Sequence, residues 1–69
     1  MKKDVKIEVM PNGYMILSRY TDLEGGFEIH CHLDGKVQLF EIPVYGGEPR
    51  DEGFCDSVQE ALLKAFSWA

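Results

Sequence analysis

Phe27-Glu28-Ile29-His30-Cys31-His32-Leu33-Asp34-Gly35-Lys36-Val37-Gln38-Leu39-Phe40-Glu41-Ile42 is the stretch that decides the fold. Phe27, Ile29, Cys31 and Leu33 alternate with Glu28, His30, His32 and Asp34, the period-two mark of a strand with one buried face. Asp34-Gly35 then interrupts the pattern with the strongest short-range hairpin signal, because aspartate and glycine tolerate the backbone angles a tight reversal needs. Taken as a two-residue loop, it pairs Leu33 with Lys36, Ile29 with Phe40 and Phe27 with Ile42. The opposite face then sets His32 across from Val37, His30 across from Leu39 and Glu28 across from Glu41. Like charges directly opposite are unfavourable unless solvated, so this face reads as wet, with Val37 and Leu39 leaving it partly apolar.

Moving toward the C-terminus, Pro43 has no amide to donate, so a strand over 36–44 either ends near it or lies at a sheet edge. Residues 45–55 hold Gly46-Gly47-Glu48-Pro49-Arg50-Asp51-Glu52-Gly53 and read as a mobile acidic loop. A helix is predicted over 57–68. Ser57 and Glu60 have capping-box spacing, with Asp56 as the alternative N-cap. Val58, Ala61, Leu62, Ala65 and Phe66 form the apolar stripe expected to lie on the sheet, while Leu63 and Trp68 project from other sides.

Toward the N-terminus, Thr21 to Gly26 is a polar connection, preceded by strands over 14–20 and 5–10 that flank Pro11-Asn12-Gly13. A three-residue loop pairs Val9 with Met15 and Ile7 with Leu17. A two-residue Asn-Gly turn moves the pairing by one and puts Ile16 on the face of Ile7 and Val9. Both registers fit, because Tyr14-Met15-Ile16-Leu17 is apolar on both faces, and such a strand belongs inside a sheet rather than at its edge. The expectation is an α+β fold in one domain over 1–69, a four-stranded antiparallel sheet with a single C-terminal helix packed on one face.

A chain of 69 residues has a thin core, since a domain this small buries only about 60% of the surface its unfolded chain exposes. Its net charge of −5 is unevenly divided. Residues 1–19 carry Lys2, Lys3, Lys6 and Arg19 against Asp4 and Glu8, whereas 20–69 carry Lys36, Arg50 and Lys64 against ten carboxylates. Phosphate backbones demand cationic surface, so direct nucleic-acid binding is disfavoured. The acidic part either serves solubility alone or meets a basic protein partner. Two cysteines, Cys31 and Cys55, are too few for a disulfide scaffold, and with no signal peptide the expected compartment is a reducing cytoplasm. No apolar run approaches the roughly 20 residues that cross a bilayer.

His30-Cys31-His32 is the most suggestive triplet for chemistry. On a strand the two imidazoles point one way and Cys31 the other, which leaves His30, His32 and Glu28 as the metal-ligand set, if any exists. Cys31 should be buried and inert, and Cys55 has no activating cation beside it in the sequence. Gly25-Gly26 and Gly46-Gly47 lack the strand-loop-helix setting of phosphate-binding glycines. The reading is therefore non-enzymatic and without a cofactor. The better lead is apolar surface beyond what one helix can cover, and small domains commonly hide such surface by self-association. The candidate interaction residues are Tyr14, Tyr20, Val37, Leu39, Tyr45, Glu48, Asp51, Glu52 and Trp68, with a protein partner and a homodimer through the open sheet face or a strand edge.

The basic start, the Asn12-Gly13-Tyr14 turn into an apolar strand and the final Asp56-Ser57-Val58-Gln59-Glu60-Ala61-Leu62 resemble small proteins carried by bacteriophages and prophages. That resemblance implies an inhibitor or adaptor of host machinery, anti-CRISPR and other anti-defence proteins included, with Glu48, Asp51 and Glu52 engaging a basic groove. Gly53 to Leu62 also resembles the end of the small domain of HicB-type antitoxins, where a sheet is followed by a helix beginning Asp-(Ser/Thr)-X-X-Glu-Ala. The chain departs from that family in its additional hairpin and in lacking a DNA-binding extension after the helix, and no functional residue carries over. The second function weighed is a structural protein whose only partner is itself.

Overall fold

The computed structural model describes residues 5–21, 23–45 and 47–68. Both hairpin signals are realised by the same loop. Met10 and Tyr14 close Pro11-Asn12-Gly13, with the Met10 N–H donating to the Tyr14 carbonyl at 2.8 Å and the Gly13 N–H to the Met10 carbonyl at 2.9 Å. His32 and Lys36 close Leu33-Asp34-Gly35 in the same way, at 2.9 and 3.0 Å. In each, only the glycine takes positive φ, 95° at Gly13 and 90° at Gly35. Asn12 and Asp34 instead turn their side-chain oxygens onto the amides of Tyr14 and Lys36, both at 3.1 Å. These are three-residue loops, a type I turn closed by a left-handed glycine.

Strands β1 (Lys6–Val9), β2 (Met15–Thr21), β3 (Gly25–Cys31), β4 (Val37–Ile42) and β5 (Arg50–Cys55) are followed by helix α1 (Val58–Phe66). The sheet is an antiparallel meander in the order β1-β2-β3-β4-β5. The α+β architecture with a C-terminal helix on one face is as the patterning predicts, and β2 is internal. β1 pairs with β2 in the three-residue register, Val9 with Met15 and Ile7 with Leu17.

Two expectations about strand number and pairing are corrected. The loop predicted over 45–55 contains a fifth strand, β5, so the sheet has five strands and not four. Arg50-Asp51-Glu52-Gly53 shows no apolar alternation because β5 is an edge strand with exposed charges, and a bulge opposite Gln38 and Phe40 breaks its period. The second correction is the β3–β4 register. Asp34-Gly35 is not a two-residue turn, which would require positive φ at Asp34 as well, and the third loop residue shifts every pair by one. Cys31 faces Val37, Ile29 faces Leu39, His30 faces Gln38, Glu28 faces Phe40 and Phe27 faces Glu41. Since alternate residues point to opposite faces, the shift turns Val37 and Leu39 into the core and Phe40 out of it. It also separates Glu28 from Glu41, whose carboxylate lies 3.8 Å from Arg50 instead.

The core forms on the helix side of the sheet. Ile29 and Leu39, cross-strand partners, are its two largest fully buried side chains, and Leu17, Phe27 and Val37 surround them. Burying each contributes about 1.5–3 kcal/mol. Helix α1 contacts β3, β4 and β5 and buries the small residues Ala61 and Ala65. Val58, Leu62 and Trp68 pack at its margins, so Trp68 is half-buried against the core and not a free projection. Phe66, expected in the stripe, is largely exposed and meets the edge of Phe27 at 5.6 Å between centroids. Ser57 is the N-cap, its hydroxyl accepting from the Glu60 amide at 3.1 Å. The Glu60 carboxylate reaches back to the Asp56 amide at 2.8 Å.

Gly25-Gly26 serves packing. A Cβ on Gly26 would lie 1.9 Å from the Arg19 carbonyl oxygen of β2, and one on Gly25 would lie 2.4 Å from the Ile42 carbonyl oxygen of β4. The start of β3 is wedged between two backbones. Among the described residues no helix is long and apolar enough to cross a membrane.

In urea denaturation, Leu39→Ala should lose about 2–5 kcal/mol of stability, while Leu63→Ala, on the exposed face of α1, should change it by no more than about 0.5 kcal/mol. Gly26→Ala should fail to give the cooperative transition of the parent chain. Similar losses for Leu39→Ala and Leu63→Ala would contradict this core.

Candidate functional site: the open face of the sheet

The face opposite α1 is built by the side chains that the register turns away from the core. Ile16, His30, Gln38 and Phe54 form one cross-strand row. Ser18, Glu28, Phe40 and Asp51 form the next, the β5 bulge having restored Asp51 to this side. Tyr14 and His32 stand at the loop end. Their rings form one cluster: Tyr14 meets His30 and His32 edge-on at 5.8 and 5.3 Å, His30 meets Phe40 at 4.7 Å, and His32 lies 6.2 Å from Phe54. The Lys36 ammonium sits over the Phe54 ring, 5.7 Å from its centroid.

Two hydrogen-bond chains cross this cluster, and the chemistry of their ends fixes their direction. Glu28 can only accept, so His30 Nε2–H donates to its Oε1 at 3.0 Å. Nδ1 of the neutral ring is then an acceptor, and the Tyr14 hydroxyl donates to it at 2.5 Å. In parallel, Asp51 accepts from the Gly53 amide at 2.8 Å and from Gln38 Nε2–H at 3.1 Å. Gln38 Oε1 is thus left to accept from His32 Nε2–H at 2.9 Å. Each chain terminates on a carboxylate. Both hold their side chains in single orientations before any partner arrives.

Electrostatics follow from these contacts. Desolvation pushes the Tyr14 phenol above its ordinary value, helped by the nearby Cys31 and Glu28 charges. The Gly53 amide, then the Gln38 amide, pull the Asp51 carboxyl below its ordinary range against a small opposing effect of burial. Burial raises the Cys31 thiol and disfavours the thiolate a nucleophile requires. An open depression of about 350 Å³ adjoins the cluster, lined by Lys6, Glu8, Ile16, Ser18, Tyr20 and Glu28.

The sequence-based candidates divide sharply. Tyr14 is in the cluster, Tyr20 borders the depression, and Asp51 closes one hydrogen-bond chain. Glu48 and Glu52 are exposed near the β5 edge, and Tyr45 is exposed at the turn after β4 with a positive φ of 66°. Val37 and Leu39 do not belong to any interaction surface: they are 7% and 0% exposed, turned inward by the loop register. Trp68 packs on the helix side, remote in its contacts from the aromatic cluster. His30, His32 and Glu28 do share the open face, with the two imidazoles 6.4 Å apart. Both nitrogens of His30 are engaged, however, and among the described residues no three His, Cys, Asp or Glu side chains are grouped to hold a metal ion. Phe40, Phe54 and Gln38 were missed as site residues. The parity of a three-residue loop is the signal that finds the first and third, and Phe54 was hidden by the loop assignment of 45–55.

No protein-family model, curated protein or solved structure matches the chain.

Because the folded chain retains the Tyr14 proton above the pH at which the unfolded chain releases it, the associated stability is intact below the ordinary tyrosine value of 10.0 and declines as pH rises through the folded value. Titration of tyrosinate absorbance should show one of the three phenols ionising last. Tyr14→Phe should delete that step and leave the other two; loss of an earlier step would assign the late phenol elsewhere.

Proposed function

We propose that this chain is a non-enzymatic protein-binding module, an inhibitor or adaptor of the phage type acting in the cytoplasm, whose contact surface is the open face of its sheet. The observation that carries the reading is the cluster of Tyr14, His30, His32, Phe40 and Phe54, in which Tyr14, His30 and His32 are held by hydrogen-bond chains that end on Glu28 and Asp51. Aromatic side chains supply large contact area at low entropic cost, and a polar rim around them is the ordinary composition of a protein interface. Side chains already fixed lose little freedom on binding. The net charge of −5, with Asp51 beside the cluster and Glu48 and Glu52 exposed near the β5 edge, favours a basic partner and steers its approach. No activated nucleophile accompanies the cluster: Cys31 is pushed toward the thiol, and the Tyr14–His30–Glu28 chain runs from phenol to carboxylate with each member satisfied.

Self-association is the second reading and is compatible with the first. What favours it is a different part of the molecule, the uncovered apolar residues Ile7 and Val9 on edge strand β1.

The immobilised chain should capture a basic protein from bacterial lysate in stoichiometric amount, less so at high salt. Phe54→Glu on the open face should reduce capture at least about tenfold, while Leu63→Glu on the outward side of α1 should leave it intact. No capture by the parent chain, or equal capture by Phe54→Glu, would overturn the proposal.

A further inference from the structure

The two edges of the sheet are not alike. β5 carries a bulge and a run of charge, Arg50-Asp51-Glu52, both of which discourage another strand from joining it. β1 is regular and exposed along its whole length, and its residues alternate Lys6, Ile7, Glu8, Val9. Its backbone polarity follows from the first loop. Met10 donates to Tyr14, and hydrogen-bonded pairs recur at every second residue of an antiparallel ladder, so Lys6 and Glu8 spend their backbone groups on β2. Val5, Ile7 and Val9 direct their N–H and C=O groups away from the sheet. The same odd-numbered side chains face the helix side, but α1 covers β3 to β5 and leaves Ile7 and Val9 60% and 64% exposed.

We infer that β1 pairs antiparallel with β1 of a second copy, about a two-fold axis through Ile7, to make one continuous ten-stranded sheet. This rests on the self-association in the proposed function and names the surface that performs it. Of the registers centred on a residue of β1 that keep both helices on the same side, only the one centred on Ile7 sets opposite charges against each other. There Lys6 of each copy lies opposite Glu8 of the other, Ile7 opposite Ile7, and Val5 opposite Val9. Moving the centre toward the C-terminus sets Glu8 against Glu8; moving it toward the N-terminus sets Lys6 against Lys6. The odd residues, whose backbone groups point away from β2, are then the ones that meet across the axis, so the pairing forms about six backbone hydrogen bonds. It also joins the uncovered Ile7 and Val9 rows of both copies beside the cores. The interface is isologous and closed, as a symmetric dimer requires.

Sedimentation of the full chain from micromolar to submillimolar concentration tests this. The parent chain should reach twice the chain mass, Lys6→Glu and Glu8→Lys should each weaken association at least about tenfold, and the double swap K6E/E8K should restore it. Both positions are exposed on an edge, and circular dichroism should show the fold unchanged in all four proteins. Independently of any variant, the Ile7 and Val9 amides should gain protection from hydrogen exchange as concentration rises. A parent chain that stays monomeric overturns self-association altogether. A dimer indifferent to the single swaps, or without concentration-dependent protection at Ile7 and Val9, overturns the β1 interface alone and moves self-association to another surface.

Discussion

The cross-strand pairing of Ile29 with Leu39 governs what every other side chain in the sheet can do. These two residues are the only large side chains among the described residues that are shut off from solvent, and Ala61 and Ala65 allow the helix to settle beside them. Once that pair is inward, strand alternation obliges His30, Gln38 and Phe40 to stand on the other face, where they meet Tyr14, His32 and Phe54. The hydrophobic contact on one side of the sheet thus assembles the polar and aromatic surface on the other. The pairing in turn depends on Gly35 alone taking positive φ, which makes Leu33-Asp34-Gly35 a three-residue connection.

Much of this was legible from residues. Alternation in 27–31, the Pro11-Asn12-Gly13 hairpin signal, the capping-box spacing of Ser57 and Glu60 and the Ala61/Ala65 stripe each specify their element through local chemistry, whereas Leu33, read as the inward end of its strand, is an exposed loop residue. The failures share a cause, which is that two arrangements were locally equivalent. Asp-Gly accommodates a two-residue or a three-residue loop, and Leu39-Phe40 offers an apolar residue to either face, so the choice fell to the core and not to the turn. β5 was invisible for another reason. A strand that is solvated, charged and bulged buries too little to impose a pattern, and its pairing comes from β4 and the neighbouring helix. The open-face cluster was half legible, since Tyr14, His30 and His32 were singled out but Phe40 and Phe54 lay in the wrong layer or the wrong class of segment.

The two proposed contact surfaces differ in the same physical terms. The open face is preorganised by side-chain bonds that end on Glu28 and Asp51, whereas β1 offers backbone groups and a simple alternation of charge. Contacts of the first kind discriminate among partners through shape and placed polar groups; those of the second kind favour another extended strand. The two surfaces lie on a face and on an edge of one sheet, so engagement of either leaves the other geometrically available.

Every ladder in the meander joins neighbours in the chain, and the element that seals the core is the last of them. During synthesis the five strands leave the ribosome before α1, and for that interval the apolar side holding Leu17, Ile29 and Leu39 has no lid. Until Ala61 and Ala65 dock, any sheet that forms exposes this apolar side, the kind of transient surface through which partly folded chains aggregate.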